Sequence, residues 1–137
     1  MTFEHPGFQG YSLDVTINYL PPLPNQMLRK HYLRIKRMND KTRAQMFPLI
    51  MQGRPDAPLE TAKITLIRGS SREPDFDGLV GSFKAVLDGL VKAGIIKDDK
   101  VSVIGQPTYL WERTSPKKGY IRIQISSKND KNCHSHG

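Results

Sequence analysis

Residues 77–94 read Asp-Gly-Leu-Val-Gly-Ser-Phe-Lys-Ala-Val-Leu-Asp-Gly-Leu-Val-Lys-Ala-Gly, and this stretch decides the fold class of the chain. Its apolar residues recur every three or four positions, as on the buried stripe of an amphipathic helix: Leu79, Val80, Phe83, Val86, Leu87, Leu90 and Val91. Asp77 stands in a natural N-cap position before the pattern, and Gly94 follows it as a C-terminal stop. The spacing therefore predicts a helix over about residues 79–91.

The flanking segments alternate between apolar and polar residues, which is typical of half-buried strands. Strands are predicted at residues 11–19, 62–68, 101–103 continuing to 112, and 120–126. A second helix is predicted from Met27 to about Met51, with Pro48 expected to kink or end it. The order β-α-β-α-β-β predicts a compact α/β or α+β fold, with a small mixed sheet of about four strands and two main helices.

A chain of 137 residues has the length of one domain. We predict one domain over residues 1–127 and a polar, flexible tail over residues 128–137. The single cysteine, Cys133, cannot form an internal disulfide, which fits a reducing compartment. There is neither a basic segment followed by an apolar one at the N-terminus nor an apolar run near the ~20 residues of a membrane span. These features predict a soluble, cytoplasmic protein without a membrane partner.

The net charge of the chain is strongly positive, at 21 − 13 = +8, and the excess is concentrated. Residues 26–54 contain eight basic residues and one acid, so this window alone carries +7. Concentrated positive charge is the expected footprint of binding to a nucleic-acid backbone. A solvated helix face that aids solubility is the alternative, and charge alone favours nucleic acid over it.

Two pairs of carboxylates bracket the predicted 79–91 helix, at Asp75 with Asp77 and at Asp98 with Asp99. An extended backbone would aim Asp75 and Asp77 in the same direction. Helical geometry places Asp77, Lys84 and Asp88 on one stripe, about 120° from the centre of the apolar stripe. Concentrated acids on a basic protein would repel phosphates unless they hold a divalent cation, whose charge inverts the local field.

The predicted chemistry is metal-dependent cleavage of a nucleic acid. Mg²⁺ prefers hard oxygen ligands and is usually held by one or two carboxylates together with waters and substrate phosphates. A bound ion would lower the pKa of an attacking water, and a nearby lysine could neutralise charge on the phosphorus centre. Each acid also has an ordinary structural interpretation. Asp77 could be only a helix cap, Asp98-Asp99 only a turn, and Lys84 only a solvated residue.

Three spaced blocks resemble the RusA-type Holliday-junction resolvases, a family of bacteria and phages. The blocks are Pro74-Asp75-Phe-Asp77-Gly-Leu79, then Phe83-Lys84-Ala-Val-Leu87-Asp88-Gly-Leu90, then Gly94-Ile-Ile-Lys-Asp98-Asp99-Lys-Val101. The upstream Pro21-Pro-Leu-Pro-Asn25 is similar to the N-terminal Pro-Pro-x-x-Asn signature of that family. Two departures stand out. Gly78 replaces the frequent Asn, and the interval from Asp77 to Lys84 is longer than in the best-known member.

The resemblance implies a RusA-like homodimer that cuts four-way DNA junctions with paired symmetric nicks, in DNA recombination and repair. It implies that Asp75, Asp77 and Asp99 bind Mg²⁺, with Mn²⁺ as a possible substitute, and that Lys84 is the essential lysine. Asp88 and Asp98 fall on common acidic positions of less defined role. A non-catalytic module that binds branched DNA, and a nuclease that prefers other branched DNA, remain alternatives.

The residues expected to contact DNA are chosen on charge rather than on a motif. They are Arg29, Lys30, Arg34, Lys36, Arg37 and Arg72. The tail sequence Cys133-His134-Ser-His136 has metal-binding residue types, but a chain end without a second cluster makes a weak site.

Overall fold

Four strands form one mixed sheet in the computed structural model, which describes residues 10–24 and 31–127. The strands are β1 (Tyr11–Ile17), β2 (Lys63–Ser70), β3 (Thr108–Arg113) and β4 (Tyr120–Ser127), in the order β1-β4-β2-β3. β4 pairs antiparallel with both β1 and β2, whereas β2 and β3 are parallel. The predicted mixed α+β class and the four-stranded sheet are therefore confirmed.

Helices connect the strands in chain order. α1 (Tyr32–Gln52) joins β1 to β2, and α2 (Phe76–Ser82), α3 (Lys84–Lys92) and the single turn α4 (Val101–Ile104) join β2 to β3. No helix within residues 10–24 and 31–127 is long and apolar enough to cross a membrane. The predicted start of the first helix at Met27, the predicted tail 128–137, and Arg29 and Lys30 lie outside the described residues.

The core lies between the helices and one face of the sheet. The inward residues of β2 and β4 are largely isoleucine, and Ile64, Ile121 and Ile123 are at most 1% exposed. Met46 and Ile50 of α1 pack in the same hydrophobic cluster as Leu90 of α3. The opposite face of the sheet is mostly polar, although Ile67 and Leu110 lie on it side by side. There Arg122 donates to both carboxylate oxygens of Asp14, at 2.9 and 2.7 Å.

The predicted second main helix is two helices that meet at Phe83. The Ser82 hydroxyl donates to the carbonyl of Leu79 at 2.8 Å, which is the acceptor that a continuous helix would offer to the Phe83 N–H. The Phe83 N–H bonds instead to Val80, at 3.1 Å, and Phe83 adopts φ −98° and ψ 3°. Its fully buried ring packs on Tyr109. The prediction of one helix over 79–91 was wrong at this residue.

Pro48 was predicted to kink or end the first helix, and the end is wrong. α1 continues through Pro48 to Gln52, with Met46 and Ile50 buried on either side of the proline. The strand predicted from residue 101 was also wrong. Residues 101–103 are helical rather than the start of a strand. The left-handed φ of +60° at Gly105 ends that turn, and β3 begins only at Thr108. The stop predicted at Gly94 is confirmed, since α3 ends at Lys92 and Gly94 has φ +79°.

Tyr11 links the start of β1 to the end of α1, because its hydroxyl donates to the carbonyl of the helix cap Gly53. Burial raises the pKa of Tyr11 to about 12. The folded state therefore holds the phenol proton more tightly than the unfolded chain, where the pKa is about 10. The stability that this difference contributes is complete below about pH 10 and is lost as the pH rises through 12.

We therefore expect the free energy of unfolding of the parent to fall more steeply above about pH 10 than that of Tyr11→Phe, which has no proton to lose. Urea denaturation of both proteins from neutral to strongly alkaline pH measures the difference. Tyr32→Phe is the matched control, because the Tyr32 side chain is 72% exposed. If the difference in the free energy of unfolding between the parent and Tyr11→Phe does not change with pH, the raised pKa of Tyr11 is contradicted.

Candidate active site

Asp75 caps the first of the two helices. Its backbone is extended, with φ −72° and ψ 168°, and its Oδ1 accepts the Gly78 N–H at 2.8 Å. Such a bond satisfies one of the N–H groups that have no partner within the helix. The predicted N-cap at Asp77 was therefore wrong by two residues.

The loop that carries Asp75 is held by the edge strand β3. The Ser70 hydroxyl donates to the Arg72 carbonyl at 2.8 Å and accepts the Trp111 indole N–H at 2.9 Å. Arg113 donates to the Ser71 carbonyl at 2.7 Å, and its guanidinium lies 4.9 Å from the centre of the Trp111 ring. These contacts fix the loop, and with it the carboxylate of Asp75, relative to the sheet. No sequence pattern predicted them.

Asp77 lies in the first turn of α2 and is exposed. The expectation of an extended backbone from Asp75 to Asp77 was wrong, because only Asp75 is extended and Asp77 is already helical. A carboxylate in a first turn is favoured by the partial positive charge of the helix start. Within the described residues, no hydrogen bond or ion pair engages the Asp77 side chain, so both carboxylate oxygens remain free for solvent or a ligand.

Lys84, Asp88 and Asp99 line one open cleft of about 650 Å³. Lys84 and Asp88 stand one turn apart on α3, so the prediction that they share a helix face agrees with the structure. Asp99 enters the same cleft from the turn that follows α3. Asp75 and Asp77 are not among the lining residues. Gly81 of α2 does line the cleft, and Asp77 lies one helical turn, about 6 Å along the axis, before it.

Segments of different character line the cleft beside α2 and α3. The segment Pro21–Pro24, which we call the proline wall, contributes three prolines. A side chain at Gly81 would collide with the ring of Pro24, so the glycine allows α2 to approach this wall closely. The helix α1 contributes Ile35, Asn39, Thr42 and Arg43.

Arg43 fastens α1 to α3 at the edge of the cleft. It donates to Asp88 at 3.1 Å and also contacts Asp40, while Lys92 lies 3.4 Å from the same carboxylate of Asp88. The Lys36 ammonium donates to Asp40 and, with Arg43, holds the pKa of that carboxyl below its usual value. Asp88 is therefore already neutralised by two cations. Its first role is to join the helices.

The two acids of the Asp98-Asp99 turn have different environments. Asp98 folds back on its own turn, where Oδ1 accepts the Asp99 N–H at 2.7 Å and Oδ2 lies 3.8 Å from the Lys100 ammonium. Across residues 10–24 and 31–127, no side-chain partner engages the carboxylate of Asp99. The turn thus presents one occupied acid and one available acid, and the available one faces the cleft.

A three-ligand metal site is not assembled in the part of the chain that the structure describes. No group of three His, Cys, Asp or Glu side chains there is placed to hold a metal ion. Of the predicted metal ligands, Asp99 lines the cleft, Asp77 lies a turn away, and Asp75 is engaged as a cap. The donor chemistry of Asp77 and Asp99 fits Mg²⁺, which needs only one or two protein carboxylates when phosphates and waters complete its shell.

The basic residues chosen for DNA contact are spread around α1. With 100° per residue, Lys36 is nearest to the cleft-lining face, Arg34 is farther round, and Arg37 lies on the opposite side. All three are exposed, as is Arg72 in the loop before Asp75. No sequence pattern assigned a role to Asn39 or Arg43. A signal for Arg43 was present, because it follows Asp40 at ion-pair spacing within the basic run.

No protein-family model matches the sequence, and no curated protein matches it either. The resemblance to the RusA-type resolvases therefore stays a prediction that experiment must test.

The cap geometry predicts different stability effects for the two acids of α2. Asp75→Ala should lower the free energy of unfolding by about 1 kcal/mol, because it removes the bond to the Gly78 N–H. Asp77→Ala should cost less, since it removes only a favourable charge at the helix start. Asp75→Asn is the matched control, because asparagine caps about as well as aspartate. Urea denaturation of the three variants checks this order, and equal losses for the two alanine variants would contradict it.

Proposed function

We propose that this protein is a structure-selective DNA endonuclease that resolves four-way junctions by Mg²⁺-dependent hydrolysis of phosphodiesters. The observation that carries the proposal is the shared cleft, in which Lys84 and the available carboxylate of Asp99 lie together beside the basic helix α1. The spacing of the RusA-like blocks supports the same function independently. Asp77 stands one turn from the cleft, close enough to contribute to a site formed around a bound phosphate.

The residues in and beside the cleft have distinct tasks in this proposal. The Lys84 ammonium lies beside the scissile phosphate and stabilises the negative charge that grows on its oxygens. Asp75, Asp77 and Asp99 would hold Mg²⁺ or Mn²⁺, with substrate oxygens and waters as the remaining ligands. The ion supplies an activated water and charge stabilisation when bound. The products are 5′-phosphate and 3′-hydroxyl ends.

Binding to DNA rests on the exposed positive charge around the cleft. Arg34 and Lys36 flank the cleft-lining face of α1, and Arg72 lies beside Asp75. Arg37 faces away from the cleft, so it would contact an arm of the junction that follows the outside of the helix. Arg29 and Lys30 complete the proposed set. These contacts are to phosphates, so they bring affinity and orientation without base sequence.

A homodimer follows from the symmetry of the substrate. Resolving a four-way junction needs two matching cuts, and a twofold dimer supplies two equivalent clefts. The recombination and repair role, and a cytoplasmic location, belong to the same proposal.

A non-catalytic module that binds branched DNA is the second candidate. The observation that favours it is that residues 10–24 and 31–127 contain no assembled group of three metal-binding side chains. In that case Asp75 is a cap, Asp98-Asp99 is a turn, and the basic helix carries the function alone. A nuclease that prefers flaps or replication forks would share the chemistry and differ only in substrate.

Cleavage of a synthetic four-way junction tests the catalytic proposal. We expect the parent to make paired nicks with Mg²⁺ and none with EDTA. Asp77→Asn and Lys84→Ala should each lower kcat by about a hundredfold or more. The first weakens a proposed metal ligand, and the second removes the positive charge beside the scissile phosphate. Gel-shift measurements should show that both variants still bind the junction.

Asp56→Asn is the matched control for Asp77→Asn. Asp56 is an exposed acid in the loop between α1 and β2, so its replacement changes the net charge equally and should leave kcat unchanged. An Asp77→Asn protein that nicks as fast as the parent would rule out the catalytic assignment. If the parent binds the junction but does not nick it with any divalent ion, the non-catalytic binding module is favoured. If the parent cuts flaps or forks faster than junctions, the preferred substrate is one of those instead.

The salt dependence of binding tests the role of α1. Each DNA phosphate that the protein neutralises contributes about 0.9 to the slope of log K against log salt, because it releases condensed counterions. The double variant Arg34→Ala, Lys36→Ala should therefore have a slope shallower by about 1.8, whereas Lys117→Ala, in the loop between β3 and β4, should change it little. Equal slopes for the parent and the double variant would show that DNA binds elsewhere.

A further inference from the structure

Arg68 is a buried arginine in the middle of the sheet. It lies on β2 in register with Ile121 of β4, on the face that packs against the helices, and it is only 5% exposed. One guanidinium nitrogen, Nη1, donates to the carbonyl of Pro21 at 2.7 Å, across 47 positions of sequence. This bond joins the central strand to the first residue of the proline wall.

The burial of Arg68 is unfavourable for stability. In residues 10–24 and 31–127 no carboxylate lies within ion-pair distance of its guanidinium, and its Nε is buried without a hydrogen-bond partner. A buried charge without a counterion loses its hydration and regains little. Burial accordingly lowers the pKa of Arg68 from its ordinary value. The cross-strand partners of Arg68 are Trp111 of β3 and Ile121 of β4, and Leu66 precedes it on the same face, so its surroundings are largely apolar.

The hydrogen bond acts on a segment that shapes the cleft. Pro21, Pro22 and Pro24 line it directly, as do Asn39 and Arg43 of α1. Prolines have no N–H, so this wall cannot be held by donating from those positions. The contacts that hold it include the bond from Arg68 to the Pro21 carbonyl and the packing of the Leu23 methyl near Gly78 and of Pro24 near Gly81. Displacement of Pro21 would therefore alter the width of the cleft beside Lys84.

We propose that Arg68 is a positioning residue that holds the proline wall against α2, and thereby fixes the width of the cleft in which the phosphodiester is placed. The predicted effect of Arg68 on catalysis rests on the proposed nuclease function. Its effect on the position of the proline wall does not. Arg68 is buried and is not among the residues that line the cleft, so it acts through the Pro21 carbonyl.

Three variants separate positioning from a purely structural role. Arg68→Met keeps length and apolar volume but removes the donor, and Arg68→Lys keeps the charge with a single ammonium in place of the planar fork. Arg122→Met is the matched control. Arg122 is also a sheet arginine, but it lies on the opposite face in an ion pair with Asp14, away from the cleft.

The first readout is methyl NMR of the wall, combined with thermal unfolding. In Arg68→Met, we expect the Leu23 methyl resonances to shift while the protein still unfolds cooperatively. Removal of a buried charge favours stability, whereas loss of the donor to the buried Pro21 carbonyl opposes it. Arg122→Met should leave the Leu23 resonances in place. Unchanged Leu23 resonances in Arg68→Met would overturn the proposal, whether or not the protein is a nuclease.

The second readout is junction cleavage. Arg68→Met should lower kcat by about tenfold to a hundredfold, because a misplaced wall misplaces the substrate, with a change in the junction Kd below about threefold. Arg68→Lys should recover part of the activity. An equal fall in kcat for Arg122→Met, or a kcat for Arg68→Met like that of the parent, would overturn the positioning role. If the parent cleaves no branched DNA, the nuclease proposal and this catalytic consequence both fall, and the NMR result alone decides whether Arg68 holds the wall.

Discussion

The parallel pairing of β2 with β3 is the constraint on which the rest of the structure depends. Parallel neighbours cannot be joined by a tight hairpin, so the chain between Ser70 and Thr108 must cross back over the sheet before β3 begins. The crossover packs on the apolar face and consists of the helical segments α2, α3 and α4. All four of the predicted catalytic and metal-binding residues lie within it. The fold thereby places the candidate site residues in one connection, which packs on the sheet.

Charge is distributed to match that arrangement. The basic helix α1 and the crossover meet at the Arg43–Asp88 ion pair, 3.1 Å long and partly shielded from solvent, so the two sides of the cleft are fastened where they approach. Such a pair has less competition from water than one at the open surface. Asp88 is committed to this contact, whereas Asp77 and Asp99 have no side-chain partner among the described residues. The acids of this region therefore divide into those that build the cleft and those that remain available to a ligand.

Sequence patterns recovered most of the fold because alternation and helical spacing report directly which side of an element is buried. Strands β1, β2 and β4 and the facing of Lys84 and Asp88 followed from those periods. The errors at residues 83 and 101–103 arose where a local hydrogen bond or a glycine overrides the spacing of the apolar residues. The Ser82 hydroxyl occupies the Leu79 carbonyl, and Val-Ser-Val-Ile at 101–104 is too short to distinguish a strand from a turn of helix. The Arg43–Asp88 and Arg68–Pro21 contacts join residues at least 45 positions apart, and no local pattern encodes such pairings.

The joint at Phe83 has a consequence for how this region tolerates change in length. In one continuous helix, an inserted residue would turn every later side chain by about 100° and carry Lys84 and Asp88 off their face. Here two short helices meet at a single non-helical residue. The orientation of α3 about its own axis is therefore set by its packing against α1 and the core rather than by α2. We therefore expect a change of length at this joint to rotate α3 less than the same change in one continuous helix, because the packing of α3 on α1 and the core holds Lys84 and Asp88 on their face.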